Sequence, residues 1–268
     1  MNAATDTPAV YRFNRAIVRQ PGTSVGDGIR LVDRGTPAYD DVRSEHSAYV
    51  AALQAVGVDV TVLPPLDNLA DSLFVEDPAL VFTNGAIVLR SAVPARAAEA
   101  AFLTLELQEC FPRVLYLPEP GCADGGDVLV TPTQVLIGLS ARTDRHGAAG
   151  LEACLNELGY DTAIVQTPTD VLHLKSDCSL LDDETVLSTH RLARSGIFSD
   201  YKVIETPAGE EAAANALRVN DVVLVADGFP ATIKLLQQGG FDVCPLPTSA
   251  IGLLDAGLSC MSLRWHSM

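Results

Sequence analysis

The chain has 268 residues, 48% of them hydrophobic, with 34 acidic against 18 basic side chains and a formal net charge of −16. That is enough apolar material for a large core, and the negative balance argues against nucleic acid or anionic membrane as a partner while weakly favouring a small cation. Met1–Val10 shows neither the basic nor the apolar region of a secretory leader, and no run approaches the roughly 18 apolar residues of a membrane helix, so a soluble, cytoplasmic protein is expected.

In chain order, the segment Pro21–Arg34 comes first and is Gly-rich enough to move over a site, an idle surface loop being the equal alternative. One phrase then recurs: a helical segment runs out at a breaker and passes into a short strand that ends at a proline. The prolines are Pro64, Pro118, Pro168, Pro207 and Pro247, and the helix ends before them are Ala51–Gly57, Leu107–Pro112, Leu155–Tyr160, Arg194–Phe198 and Leu235–Phe241. Proline removes a ladder donor, so each marks a strand end. Paired strands are expected between these units: Ala79–Phe82 with Ala86–Arg90, Asp127–Thr131 with Gln134–Ser140, and Val171–Lys175 with Glu184–Thr189. Repeats of roughly 40–50 residues are one supersecondary unit each. Five such units, making a single domain over residues 1–268, predict an α/β ring resembling a propeller; a doubly wound sheet is the alternative that the same alternation permits.

Polar residues follow the closing prolines. They are Asp71, Glu76 and Asp77, then Asp124, then His173, and finally Cys260. After Pro207 the polar candidates are Glu210, Glu211 and Asn215, none of them obvious. In a ring these strand ends converge, bringing carboxylates, a base and a thiol to one mouth. A Cys nucleophile needs a proton acceptor and donor near neutrality, which His supplies. His173 sits in the apolar run Val171–Lys175, whereas His46, His146, His190 and His266 are poorer candidates. The glycines of Asp124-Gly-Gly-Asp127 allow close approach of backbone to a ligand, and the three carboxylates after Pro64 suit a planar guanidinium. Arg96 and Arg142 add the cations for a carboxylate. The six cysteines form no CxxC pair and no zinc-finger spacing, so no structural metal and no disulfide framework is expected.

The motifs Leu73–Asp77, Asp124–Leu129, Gly138–Thr143, His173–Ser176 and Gly257–Ser262 together resemble the dimethylarginine dimethylaminohydrolases of the guanidine-modifying (pentein) superfamily, over essentially the whole chain. The resemblance implies the five-bladed α/β propeller. It implies hydrolysis of Nω-methylated arginines to citrulline and an amine through a covalent Cys adduct, with no cofactor and no metal. Matched residue by residue, Cys260 is the nucleophile, His173 the general acid and base, and Asp124 its supporting carboxylate. Asp71, Glu76 and Asp77 hold the guanidinium, Arg96 and Arg142 the α-carboxylate, and Ile29 with Leu254 or Asp255 offer backbone contacts. Arginine deiminases of the same superfamily carry an Asp two positions after the His; here that position is Lys175, which favours methylated over free arginine. Other guanidine hydrolases, an amidinotransferase and a non-catalytic binder of cationic amino acids are the competing functions. A homodimer is compatible with all of these, and no residue pattern specifies one.

Overall fold

A computed structural model describes residues 9–267; of the segment expected to lack a leader, Met1–Pro8 lie outside the described residues. The chain opens with β1 (Arg15–Arg19), crosses through α1 (Tyr39–Ala55) and returns as β2 (Asp59–Leu63), parallel to β1 with Arg15 opposite Asp59 and Arg19 opposite Leu63. The next unit is β3 (Ala79–Phe82), β4 (Gly85–Val88), α2 (Ala101–Cys110) and β5 (Val114–Tyr116). A third follows as β6 (Val128–Val130), β7 (Val135–Leu139), α3 (Arg145–Glu157) and β8 (Thr162–Gln166). The fourth is β9 (Cys178–Leu180), β10 (Thr185–Ser188), α4 (His190–Ala193) and β11 (Lys202–Glu205). The fifth is β12 (Leu217–Val219), β13 (Val222–Ala226), α5 (Pro230–Gln238) and β14 (Asp242–Leu246), after which β15 (Leu263–Trp265) pairs antiparallel with β1.

All five sheets have the same plan. A first strand pairs antiparallel with the middle strand, and the middle strand pairs parallel with the one that follows its helix. The first strands are mostly buried and the last strands largely exposed, which puts the former inside and the latter at the rim. The buried hydrophobic side chains form five clusters, and each joins two neighbouring sheets. Ile17 and Leu263 pack with Ala79 and Leu107; Ile87 with Ile137 and Leu151; Leu136 with Val186; Leu187 with Val223; and Leu224 with Val18 and Leu53. The last pairing returns to the first sheet, so the ring is closed and the propeller prevails over a doubly wound sheet. Truncating one of these leucines, such as Leu107 or Leu151, to Ala costs about 2–5 kcal/mol.

The helix ends show why the recurring phrase works. Gly57, Gly159 and Gly240 follow α1, α3 and α5 with φ of +89°, +89° and +87°, a left-handed turn in which glycine has no Cβ penalty. Asp144 caps α3 by accepting the Gly147 N–H at 2.7 Å. One expected strand is displaced. Val171–Lys175 is a turn followed by a short 3₁₀ segment, and the partner of β10 is Cys178–Leu180 instead. The Leu174 N–H donates to Asp127 Oδ1 at 3.0 Å and the Ser176 N–H to the His173 carbonyl at 3.0 Å, so no ladder is available there. Among the described residues, no helix is long and apolar enough to cross a membrane.

Candidate active site

Five loops enter the first strands, and each places a polar side chain at its end: Asp77 before β3, Asp124 before β6, His173 before β9, Asn215 before β12 and Cys260 before β15. One carboxylate oxygen each of Asp77 and Asp124 and one ring nitrogen of His173 lie within 4.8 Å of one another. His173 Nε2 is 3.2 Å from Asp124 Oδ2, with both residues buried. Arg142 Nη1 lies 3.6 Å from the same Asp124 oxygen. Asp124 Oδ1 is buried with no hydrogen-bond partner among the described residues, so it keeps its acceptor capacity.

The Asp-Gly-Gly-Asp motif acts as a bracket. Asp127 accepts from Ser140 Oγ at 2.6 Å, Thr143 Oγ1 at 2.7 Å and the Leu174 N–H, fixing the backbone that carries His173. The close approach that its glycines permit is to neighbouring side chains and backbone. A Cβ on Gly126 would stand 2.8 Å from His173 Cγ, and one on Gly125 would stand 2.0 Å from the Glu76 carbonyl oxygen.

The charges are arranged in pairs. Arg96 is buried, with Nη1 2.5 Å from Asp77 Oδ2, Nη2 2.7 Å from Glu99 Oε2 and the Phe74 carbonyl at 3.2 Å. Lys175 Nζ lies 2.6 Å and Arg264 Nη2 3.0 Å from Glu76 Oε1, while Ser259 Oγ donates to Oε2 at 2.9 Å. Asp71 accepts the Ile29 N–H at 3.1 Å. Of the three carboxylates after Pro64, Asp71 thus has the fewest protein partners. Leu254 is buried, and Asp255 takes a left-handed turn with φ +54°. The side chain of Asp255 accepts the Leu31 N–H at 2.6 Å and pairs with Arg34, so it ties down the Pro21–Arg34 segment.

Burial pushes Asp77 upward, but Arg96 and then His173 outweigh it and bring it down to about 2. For His173, burial favours the neutral ring, yet Asp77, Asp124 and Asp127 together lift it to about 9. Burial, reinforced by Glu76 and Asp77, pushes the Cys260 thiol up to about 11. At neutral pH the resting pair is therefore an imidazolium and a thiol, and a bound cation is what would favour the thiolate. Asp77, Asp124 and His173 have a donor set that could hold a divalent metal, but Asp77 is already committed to Arg96 and Asp124 to His173 and Arg142.

Sequence reasoning passed over Glu99 and Arg264. Burial raises Glu99 to about 7 against the pull of Arg96. An arginine set directly between the large apolar residues Leu263 and Trp265 was the available signal for Arg264. Of the polar residues after Pro207, Glu210 accepts the Thr232 N–H at 2.6 Å and so caps α5, Glu211 accepts the Gly209 N–H, and Asn215 reaches the site.

A family model described as arginine deiminase matches residues 43–213. An N(G),N(G)-dimethylarginine dimethylaminohydrolase of Pseudomonas aeruginosa is 35% identical over 254 residues, covering 94% of this chain and 100% of its own length. The chain belongs to the dimethylarginine dimethylaminohydrolase family. A second member of that name, from Streptomyces coelicolor, is 31% identical over 95% of this chain and 98% of its own. A structure of the Pseudomonas aeruginosa family member, a Cys-to-Ser mutant complexed with citrulline, superimposes with a TM-score of 0.92 at 34% identity, covering 95% of this chain and all of that one. The N-terminal domain of ArgZ, an arginine dihydrolase from cyanobacteria, shares the fold with a TM-score of 0.81 at 16% identity, covering 93% of this chain and 96% of that one.

Proposed function

We propose that the protein hydrolyses Nω-methylated arginines to citrulline and methylamine or dimethylamine. The observation that carries this is the His173–Asp124 pair set among Asp71, Asp77 and the Cys260 loop, an acid-lined centre with a general acid charged at neutral pH. Family membership and the citrulline complex of the Pseudomonas aeruginosa relative support it.

In the proposed reaction the bound cation favours the Cys260 thiolate, the thiol proton passing to bulk water because His173 is already protonated, and the thiolate attacks the guanidinium carbon. Asp71, Asp77 and the free Oδ1 of Asp124 hold the guanidinium nitrogens, with Glu76 behind them fixing Lys175. His173 gives its proton to the departing amine, leaving an S-alkylthiouronium adduct on Cys260. His173 then takes a proton from water as the water attacks the same carbon, and the C–S bond breaks to release citrulline and the thiolate. Arg142 and Arg96 are proposed for the α-carboxylate end; Arg142, with Asp124 alone at 3.6 Å among the described residues, is the less encumbered. Backbone groups of Ile29, Leu254 and Asp255 are proposed to meet the amino-acid end beneath the Pro21–Arg34 segment.

The test is to incubate the protein separately with arginine, monomethylarginine and asymmetric dimethylarginine, following citrulline and the released amine. Turnover of the methylated substrates, lost by several orders of magnitude in Cys260→Ser with the fold intact, is expected. Turnover of arginine alone would make it a deiminase, a new guanidine an amidinotransferase, and binding without turnover a binding protein.

A further inference from the structure

The loop before β12 contributes an amide where the other four loops contribute carboxylates, imidazole or thiol. Asn215 is buried, 8% exposed, at the end of the short 3₁₀ turn Glu211–Ala214. Its Oδ1 accepts the Ser259 N–H at 3.1 Å, and its Nδ2 lies 3.7 Å from Cys260 Sγ. The orientation of the amide is not arbitrary. A backbone N–H can only donate, so Oδ1 must face Ser259, and the NH₂ is left to face the sulfur. Gly257 lies flat against this amide: a Cβ there would stand 2.3 Å from Asn215 Cγ, so any larger residue would push the amide off the sulfur. The chain brings the thiol to the donor from both sides, since the Cys260 N–H bonds to the Gly257 carbonyl at 3.3 Å.

We propose that Asn215 is a catalytic residue that donates through Nδ2 to Cys260 Sγ, holding the sulfur in its attacking rotamer and stabilising the negative charge on it before attack and again when the adduct breaks down. This rests on the reading of Cys260 as the nucleophile. A neutral donor is suited to the place. The charged groups that bear on the thiol are the His173 imidazolium, Glu76 and Asp77 from the loop before β3, and Lys175 from the loop before β9, and Lys175 is taken by Glu76. The two carboxylates oppose a thiolate, and a fixed donor dipole adds to the His173 imidazolium as a counterweight without competing for the proton.

Asn215→Asp separates donating from anchoring, because a carboxylate still accepts the Ser259 N–H but offers the sulfur no proton at neutral pH. The rate of Cys260 alkylation by iodoacetamide, located by peptide mass spectrometry against the other five cysteines, reads the thiol directly. We expect the rate of Cys260 alkylation at a fixed pH near 8 to fall about 10- to 100-fold in Asn215→Asp and Asn215→Ala, with kcat falling about 10- to 100-fold and KM changing little. Should Asn215→Ala fail to fold, Asn215→Asp decides. A wild-type alkylation rate and kcat in a folded Asn215→Asp would overturn the proposal while leaving Cys260 as nucleophile. Full turnover in Cys260→Ser would instead overturn the reading beneath it.

Discussion

The backbone N–H of Leu31 donates to Asp255 Oδ2 at 2.6 Å, joining the N-terminal loop to the segment that carries Cys260. Arg34 pairs with the other oxygen of the same carboxylate. Asp255→Asn removes the charge but keeps an acceptor for Leu31 and a residue that tolerates the left-handed turn. Because a partly exposed ion pair contributes only about 0.2–1 kcal/mol, KM for a methylated arginine should rise about twofold to fivefold with kcat and melting temperature nearly unchanged. Steady-state kinetics decide it, and an unchanged KM would show that the loop is held by other contacts.

His173 supplies a pH-dependent share of stability. Its folded pKa, about 9, stands above the ordinary 6.5, so the contribution is complete below pH 6.5 and is lost as the pH rises toward 9. The shift corresponds to about 3 kcal/mol. Melting temperatures of the wild type and His173→Gln should therefore converge between pH 6.5 and 9, the comparison removing the separate losses from Glu99 and Cys260. Parallel curves across that range would mean that the imidazolium is not held by the three carboxylates.

Lys175 and Arg264 share Glu76, which is buried. Lys175→Met leaves a buried carboxylate with one cation and should lower stability by about 1–3 kcal/mol. Adding Glu76→Gln should restore part of that loss, and denaturant melts of the four members of this cycle give the coupling. Additive losses would show that the pair is not an energetic unit.

Gly126→Ala should reduce kcat by more than about tenfold, since the new Cβ would sit 2.8 Å from His173 Cγ and 3.0 Å from Asp77 Oδ1 and must displace the ring. A Cβ on Gly228 would meet no heavy atom within 4 Å, so Gly228→Ala should behave as wild type. Equal activity of the two variants would remove the steric account of the Gly-Gly pair.

The ring was legible because helix-ending glycines and strand-ending prolines are backbone requirements that show in one dimension. His173 and Cys260 stood out because a titratable side chain in an apolar run demands an explanation. The strand expected over Val171–Lys175 fails where alternation meets a tertiary hydrogen bond: Asp127, far away in sequence, takes the Leu174 N–H that a ladder would need. The hairpin of β12 and β13 was open to detection through its Asn220-Asp221 turn, with Asn220 at φ +55°. By contrast, β15 spans three residues, too few for any period to appear. Asn215 lies between alanines in a stretch that reads as helix, and only the return of Gly257 against it reveals its surroundings.

The pairing of β15 with β1 also has a consequence for how the protein is made. During synthesis Arg15–Arg19 is made before the other strands of the ring and Leu263–Trp265 after them, so the first sheet stays short of a strand until the other four sheets exist. Cys260 reaches its neighbours only when that gap is filled. A nascent chain thus sets the Cys260 sulfur beside Asn215 only once β15 has paired with β1, and chains stopped short of Leu263 should lack that arrangement.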